Sequence, residues 1–151
     1  MRNILKFIFI LLSWFLTNII FKVDSNFYNS LNLPFFALPN YLYSIIWTIL
    51  YLCISVSIFL VLSNDKFNFI PNYRNTLIIN YIFNQLYIFI LFTLKNLFLS
   101  FVDTILIFVT SLFLYYETKE LNKKASKWLL PYVFFNIFTI ILSISIYFMN
   151  L

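Results

Sequence analysis

The chain of 151 residues has no glycine and no histidine, a single cysteine, and only ten basic and five acidic side chains. Each scarcity excludes something. Without glycine there is no phosphate-cradling loop and no dinucleotide fingerprint. Without histidine there is no Ser-His triad, no His-ligated metal and no imidazole proton shuttle. Cys53 alone can form neither an internal disulfide nor a Cys-Cys metal pair, and in its apolar stretch it reads as a small packing residue. No metal or cofactor is expected. Charged residues are 10% of the chain, where soluble domains carry about a quarter. So few charges cannot clothe a water-soluble globule of this size.

What is present points to a membrane. Hydrophobic residues make up 63% of the chain and the mean hydropathy is +0.93. The net charge of +5 is scattered over connecting segments and forms no continuous groove, so it reads as a topology signal and not as a nucleic-acid footprint. Abundant Phe, Ile, Asn, Lys and Tyr beside almost no Ala look like compositional drift of the source genome, so no lone Phe or Asn carries much weight.

Five apolar runs stand out, at about 4–21, 41–62, 73–94, 97–116 and 128–149. Each is long enough to cross a hydrocarbon layer roughly 30 Å thick as a helix. A spanning backbone must satisfy its own hydrogen bonds, and the period-2 alternation of a membrane barrel is absent. The expected fold is therefore all-α, one integral-membrane bundle of five helices over 1–151. Arg2 and Lys6 before the first run resemble a signal peptide. Its 18 residues are long for that, and no small-x-small cleavage site follows. Lys95-Asn96 alone separates the third and fourth runs and predicts a tight antiparallel hairpin. The first connection, Lys22 to Pro39, holds Pro34, and the most charged, about Glu117 to Lys127, reads as a loop. No internal repeat is visible, which disfavours an inverted-repeat transporter. With five spans, Arg2, Lys6, Lys66, Arg74, Lys119, Lys123, Lys124 and Lys127 share one face, against Lys22 and Lys95 on the other. That bias puts the N-terminus in the cytoplasm and the C-terminus outside.

Polar residues recur at helical spacing: Trp14, Thr17 and Asn18; Asn40, Ser44, Trp47, Tyr51 and Ser55; Asn80, Asn84 and Tyr87 with Gln85 alongside; Tyr132, Asn136, Thr139 and Ser143. Steps of three and four place each set on one face, and amides are costly in lipid, so these faces turn inward. Two roles fit them: hydrogen-bonded glue between helices, or the lining of a central pocket of aromatics and amides. Asp103 is the sole acid well inside a span. It reads either as functional or as an acid near a helix N-terminus held by the macrodipole, with Lys95 close in sequence; the second is preferred. Trp128 and the span-end tyrosines Tyr41, Tyr43, Tyr73, Tyr115, Tyr116 and Tyr147 suit interfacial belts.

Phe27-Tyr28, Leu33-Pro34-Phe35-Phe36-Ala37-Leu38-Pro39 and Ile46-Trp47-Thr48-Ile49-Leu50-Tyr51 are followed in order by Gln85-Leu86, Phe101-Val102-Asp103 and Leu129-Leu130-Pro131-Tyr132 with Phe138-Thr139. This order of motifs resembles the TspO/MBR family, the translocator or peripheral-type benzodiazepine receptor proteins. The first three segments resemble the family's Trp-Tyr, Lys-Pro-x-Trp-x-Pro-Pro and Val-Trp-Thr-x-Leu-Tyr, and the others resemble its later motifs. The resemblance implies a five-helix bundle, often a homodimer, in a bacterial cell membrane. Its pocket would bind porphyrin or a similar flat hydrophobic molecule under the 22–39 loop. Implied ligand contacts are Tyr28, Pro34, Phe36 and Pro39 from the loop, Trp47, then Asn84, Gln85, Phe89 and Phe92, then Asp103, and finally Tyr132, Phe135, Phe138 and Thr139. Such aromatic walls suit a macrocycle.

The chain also departs from the pattern. Phe27, Phe36 and Phe135 stand where the family shows tryptophan, and Leu33 where it shows lysine. Light-driven porphyrin degradation in bacterial members uses paired pocket tryptophans, and here only Trp47 remains to serve as a catalytic residue. The reading therefore favours a receptor or regulator over an enzyme or a small permease. No Lys or Arg follows Tyr147, so the C-terminal sterol pattern, weak in any case, is incomplete.

Overall fold

A computed structural model describes residues 2–63 and 71–151, without the side chains of residues 2, 17 and 18. Lys66 and the side chains of Arg2, Thr17 and Asn18, all used above, thus lie outside the described residues. The elements are α1 (Arg2–Trp14), α2 (Leu16–Ile20), α3 (Ser25–Ser30), α4 (Asn40–Leu62), α5 (Pro71–Ile88) continued by a π-helical turn (Phe89–Thr93), α6 (Leu97–Leu121) and α7 (Lys123–Met149). No strand occurs among the described residues. Among the described residues four helices are long and apolar enough to cross a membrane: 40–62, 71–93, 97–121 and 123–149.

The first apolar run is not the single helix its hydropathy suggests. It breaks at Phe15, with neither proline nor glycine to blame. The Tyr81 hydroxyl donates to the Ser13 carbonyl (2.9 Å) and the Gln85 amide to the Trp14 carbonyl (3.4 Å). These two carbonyls are thereby drawn toward α5, and the Phe15 amide turns back to Leu12 (3.1 Å) in a tighter i to i−3 bond. Side chains inserted into the hydrogen-bond ladder are a known cause of helix breaks. Contacts of Phe7 with Phe59 and of Phe15 with Tyr51 run α1 antiparallel along α4.

The segment Glu117 to Lys127, expected as a loop, is helical except at Asn122. Leu, Glu and Lys are strong helix formers, so the helix outlasts the apolar run that marks its membrane portion. Asn122 ends α6 and caps α7, its side chain accepting from the amides of Lys124 and Ala125. The Lys95-Asn96 hairpin is as short as expected. Lys95 takes the left-handed backbone region, φ 51°, and the Asn96 side chain caps α6 through the Leu99 amide.

The packing sorts residues by solvent. Phe9, Ile19, Phe113 and Phe134 point outward, which in water would be an aggregation surface and in lipid is the contact surface. The interior holds Trp14, Tyr51, Ile54, Tyr73, Leu114, Leu129 and Tyr132. Tyr73 is thus a core residue and no belt tyrosine, whereas Tyr41, Tyr116 and Trp128 are exposed at span ends.

Candidate functional site

The amide stripes converge on a buried network. Asn80 of α5 donates to the Ile107 carbonyl (3.1 Å) and to the Thr110 hydroxyl (2.8 Å) of α6. The Tyr132 hydroxyl of α7 donates to Asn80 Oδ1 (3.0 Å) and accepts from Asn84 Nδ2. Asn136 Nδ2 reaches Ser111 Oγ (3.1 Å). The network joins three helices, as interhelical glue should.

Beside it lies a cavity of about 640 Å³, enclosed by residues of every element from α4 to α7 and covered by α3. Volumes of roughly 300–1,000 Å³ suit small-molecule sites. From α4 come Asn40, Tyr43, Ser44, Trp47, Thr48 and Tyr51; from α5 and its π turn Asn84, Tyr87, Ile88, Leu91 and Phe92; from α6 Leu97, Ser100, Thr104 and Ile107; from α7 Asn136, Thr139, Leu142, Ser143 and Ile146. Phe15, Lys22, Val23, Tyr28 and Leu31 complete it. Four members of the α4 stripe line the cavity, as do Asn84 and Tyr87, and Asn136, Thr139 and Ser143. Glue and lining are therefore roles of the same stripes: Asn80 and Tyr132 bind helices together one layer behind, and hold Asn84 in the wall.

Of the contacts implied by resemblance, Tyr28, Trp47, Asn84, Phe92 and Thr139 line the cavity, while the other nine do not. Phe36 leans on Phe138 (6.3 Å between ring centroids) and Phe138 on Phe135 (5.4 Å). Phe135 meets Trp47 edge-on at 5.7 Å and so backs the indole that faces the cavity. Phe89 turns away to Phe21 (5.0 Å), and Gln85 to α1. Pro34 and Pro39 lie in the loop, where their carbonyls accept from the Ala37 and Leu42 amides (2.9 Å each) and Pro39 directly precedes α4. Ser100, Thr104 and Ile107 were not singled out from the sequence, although their i, i+4, i+7 spacing marks one face of α6.

Asp103 sits between Ser100 and Thr104, buried, with Oδ2 lacking a hydrogen-bond partner among the described residues. Lys95 does not neutralise it. That lysine pairs with Asp24 (3.2 Å) and lies over the Phe27 ring (4.9 Å). The Asp24 carboxylate also caps α3 through the Phe27 amide (2.9 Å). This amide and then Lys95 hold the Asp24 carboxyl below the usual carboxylate range.

Further bonds seat α3 over the cavity. The Tyr28 hydroxyl donates to that of Tyr43 (3.3 Å), and burial, with that bond, raises the Tyr28 phenol above its ordinary pKa. Asn40 donates to Asn29 (3.1 Å). Asn32 and Asn150 exchange bonds, Asn32 N–H to Oδ1 (2.8 Å) and Asn150 Nδ2 to the Asn32 carbonyl (3.0 Å), tying the first loop to the end of α7. Among the described residues no group of three His, Cys, Asp or Glu could hold a metal.

Comparison with known proteins gives a consistent picture. The model of the family described as TspO/MBR matches residues 5–149. An uncharacterised membrane protein of Bacillus subtilis, YtaB, is 36% identical over 132 residues, 87% of this chain and 85% of that protein. The tryptophan-rich protein TspO of Bacillus cereus is 31% identical over 138 residues, 91% of this chain and 89% of its own. A protein of the same name from Archaeoglobus fulgidus is 29% identical over 127 residues, 82% and 79% of the two chains. The present chain has three tryptophans, of which Trp47 alone lines the cavity.

Proposed function

The chain belongs to the TspO/MBR family, and on that premise we propose that it is a membrane receptor or regulator binding porphyrin, or a similarly flat hydrophobic molecule, inside its helix bundle. The observation that carries this reading is the cavity: about 640 Å³, walled by Trp47, Tyr51, Tyr87 and Phe92, with the Asn84 and Asn136 amides for orientation. Aromatic faces stack on a macrocycle, and a few fixed polar groups set its register. The segment from Lys22 to Pro39 is the cap, and α1 with α2 supplies a fifth crossing beside α4. We place the N-terminus in the cytoplasm and the capped mouth outside the cell membrane, with a homodimer as the working assembly.

The test is a titration of the purified protein in neutral detergent with protoporphyrin IX, followed at the Soret band. A saturable shift is expected. Trp47→Phe, which keeps an aromatic wall, should retain most of the affinity, and Trp47→Ala should weaken it about tenfold or more. A Soret band that never saturates, or equal affinity of both variants with the wild type, would overturn the reading.

A further inference from the structure

Two lysines, Lys22 and Lys95, stand at the end of the bundle covered by α3. Lys95 has an anion, Asp24, and an aromatic face, Phe27. Lys22 has no ion pair among the described residues, yet it lines the cavity at its mouth. No Asp or Glu lines that cavity, so Lys22 is the one formal charge among its lining residues. Asp24 lies only two residues away but is committed to Lys95 and to the Phe27 amide. The remaining polar lining side chains are amides, hydroxyls and the Trp47 indole. The cavity is thus apolar and aromatic in depth, with a single uncompensated cation at one edge.

We propose that Lys22 selects ligands whose flat apolar body carries a carboxylate at one edge. The proposal rests on the pocket reading above and adds the residue that reads the ligand's charged edge and the orientation this imposes. The apolar body enters between α4 and α7, and the carboxylate stays at the mouth. Its charge meets the ammonium there, where water still solvates both, and it escapes the cost of entering the bundle. Lysine suits such a place because its stem can lie along the apolar wall while its head remains hydrated. An exposed pair of this kind is modest in strength and screened by salt, which makes it a selector and not the main source of affinity.

The experiment compares protoporphyrin IX, a dicarboxylate, with its dimethyl ester on wild type, Lys22→Met, Lys22→Glu and Lys124→Met in maltoside micelles. Wild type and Lys124→Met should prefer the acid by about three- to fivefold at low ionic strength, falling toward parity at about 0.5 M salt. Lys22→Met should lose the preference and keep its affinity for the ester, and Lys22→Glu should prefer the ester. Equal affinity of wild type for acid and ester, or a preference that survives in Lys22→Met, overturns the role of Lys22 and leaves the pocket reading standing. Failure of both porphyrins to bind saturably overturns the two together.

Discussion

Tyr132→Phe removes one oxygen from the centre of the polar network and nothing else. The hydroxyl is fully buried, donates to Asn80 Oδ1 at 3.0 Å and accepts from Asn84 Nδ2. Without it Asn84 Nδ2 keeps the Asn80 carbonyl at 3.0 Å. Asn80 Oδ1 keeps only a contact of 3.4 Å to Asn84 Nδ2. Hydrogen bonds between helices in membranes contribute roughly 0.6 kcal/mol on average and up to about 1.7, and a buried partner left short of a bond adds to that. The expected loss is about 1–2 kcal/mol. For a chain of this size that lowers the midpoint of unfolding by about 2–8 °C. The protein carries its own reporter: Cys53 is the sole cysteine and is buried, so a dye that fluoresces on reacting with thiols reads unfolding during a thermal ramp in detergent. Tyr116→Phe, at an exposed tyrosine, should melt with the wild type. Asn80→Ala combined with Tyr132→Phe should cost less than the sum of the two single changes, because they share a bond. A Tyr132→Phe midpoint equal to that of wild type, with additive double-mutant behaviour, would refute the claim that this network binds α5 to α7.

Two further outcomes are expected. With porphyrin bound and illuminated, the wild type should bleach the Soret band slowly, and Phe135→Trp, which places a second indole beside Trp47, should bleach it faster; rapid bleaching by the wild type that depends on Trp47 and ignores Phe135→Trp would show that one indole suffices for catalysis. In a Cys53→Ala background, cysteine at Asn29 should be labelled by an impermeant reagent only from outside the cell and cysteine at Lys124 only from the cytoplasm, and the reverse pattern would sink the argument from charge.

The helices and much of the cavity wall could be read from the sequence because lipid leaves the chain few options. Apolar runs of spanning length must be helices, and amides within them must turn inward, so the spacing of Asn40, Ser44, Trp47 and Tyr51 already describes one cavity wall. Helix ends were harder. Hydropathy reports where lipid stops and not where hydrogen bonding stops, and so Glu117 to Lys127 looked like a loop although its residues favour helix. The break at Phe15 depends on Tyr81 and Gln85, more than sixty residues away, and no local signal records it. The lysine partnerships were invisible for the same reason: Lys95 is near Asp103 in sequence, but the folded loop brings it Asp24. Small polar residues such as Ser100 and Thr104 look like ordinary close-packing positions until the neighbouring helices leave a space beside them.

The most direct test asks where the ligand sits. Thr139 lines the cavity on α7, so Thr139→Cys in a Cys53→Ala background places a thiol inside it, and Lys124→Cys in the same background provides a thiol at the opposite end of the bundle. The rate of alkylation by a small thiol reagent is measured with and without saturating protoporphyrin IX. Strong protection is expected at position 139 and none at position 124. Saturable porphyrin binding that leaves the rate at position 139 unchanged would place the ligand outside the bundle and overturn the proposed site.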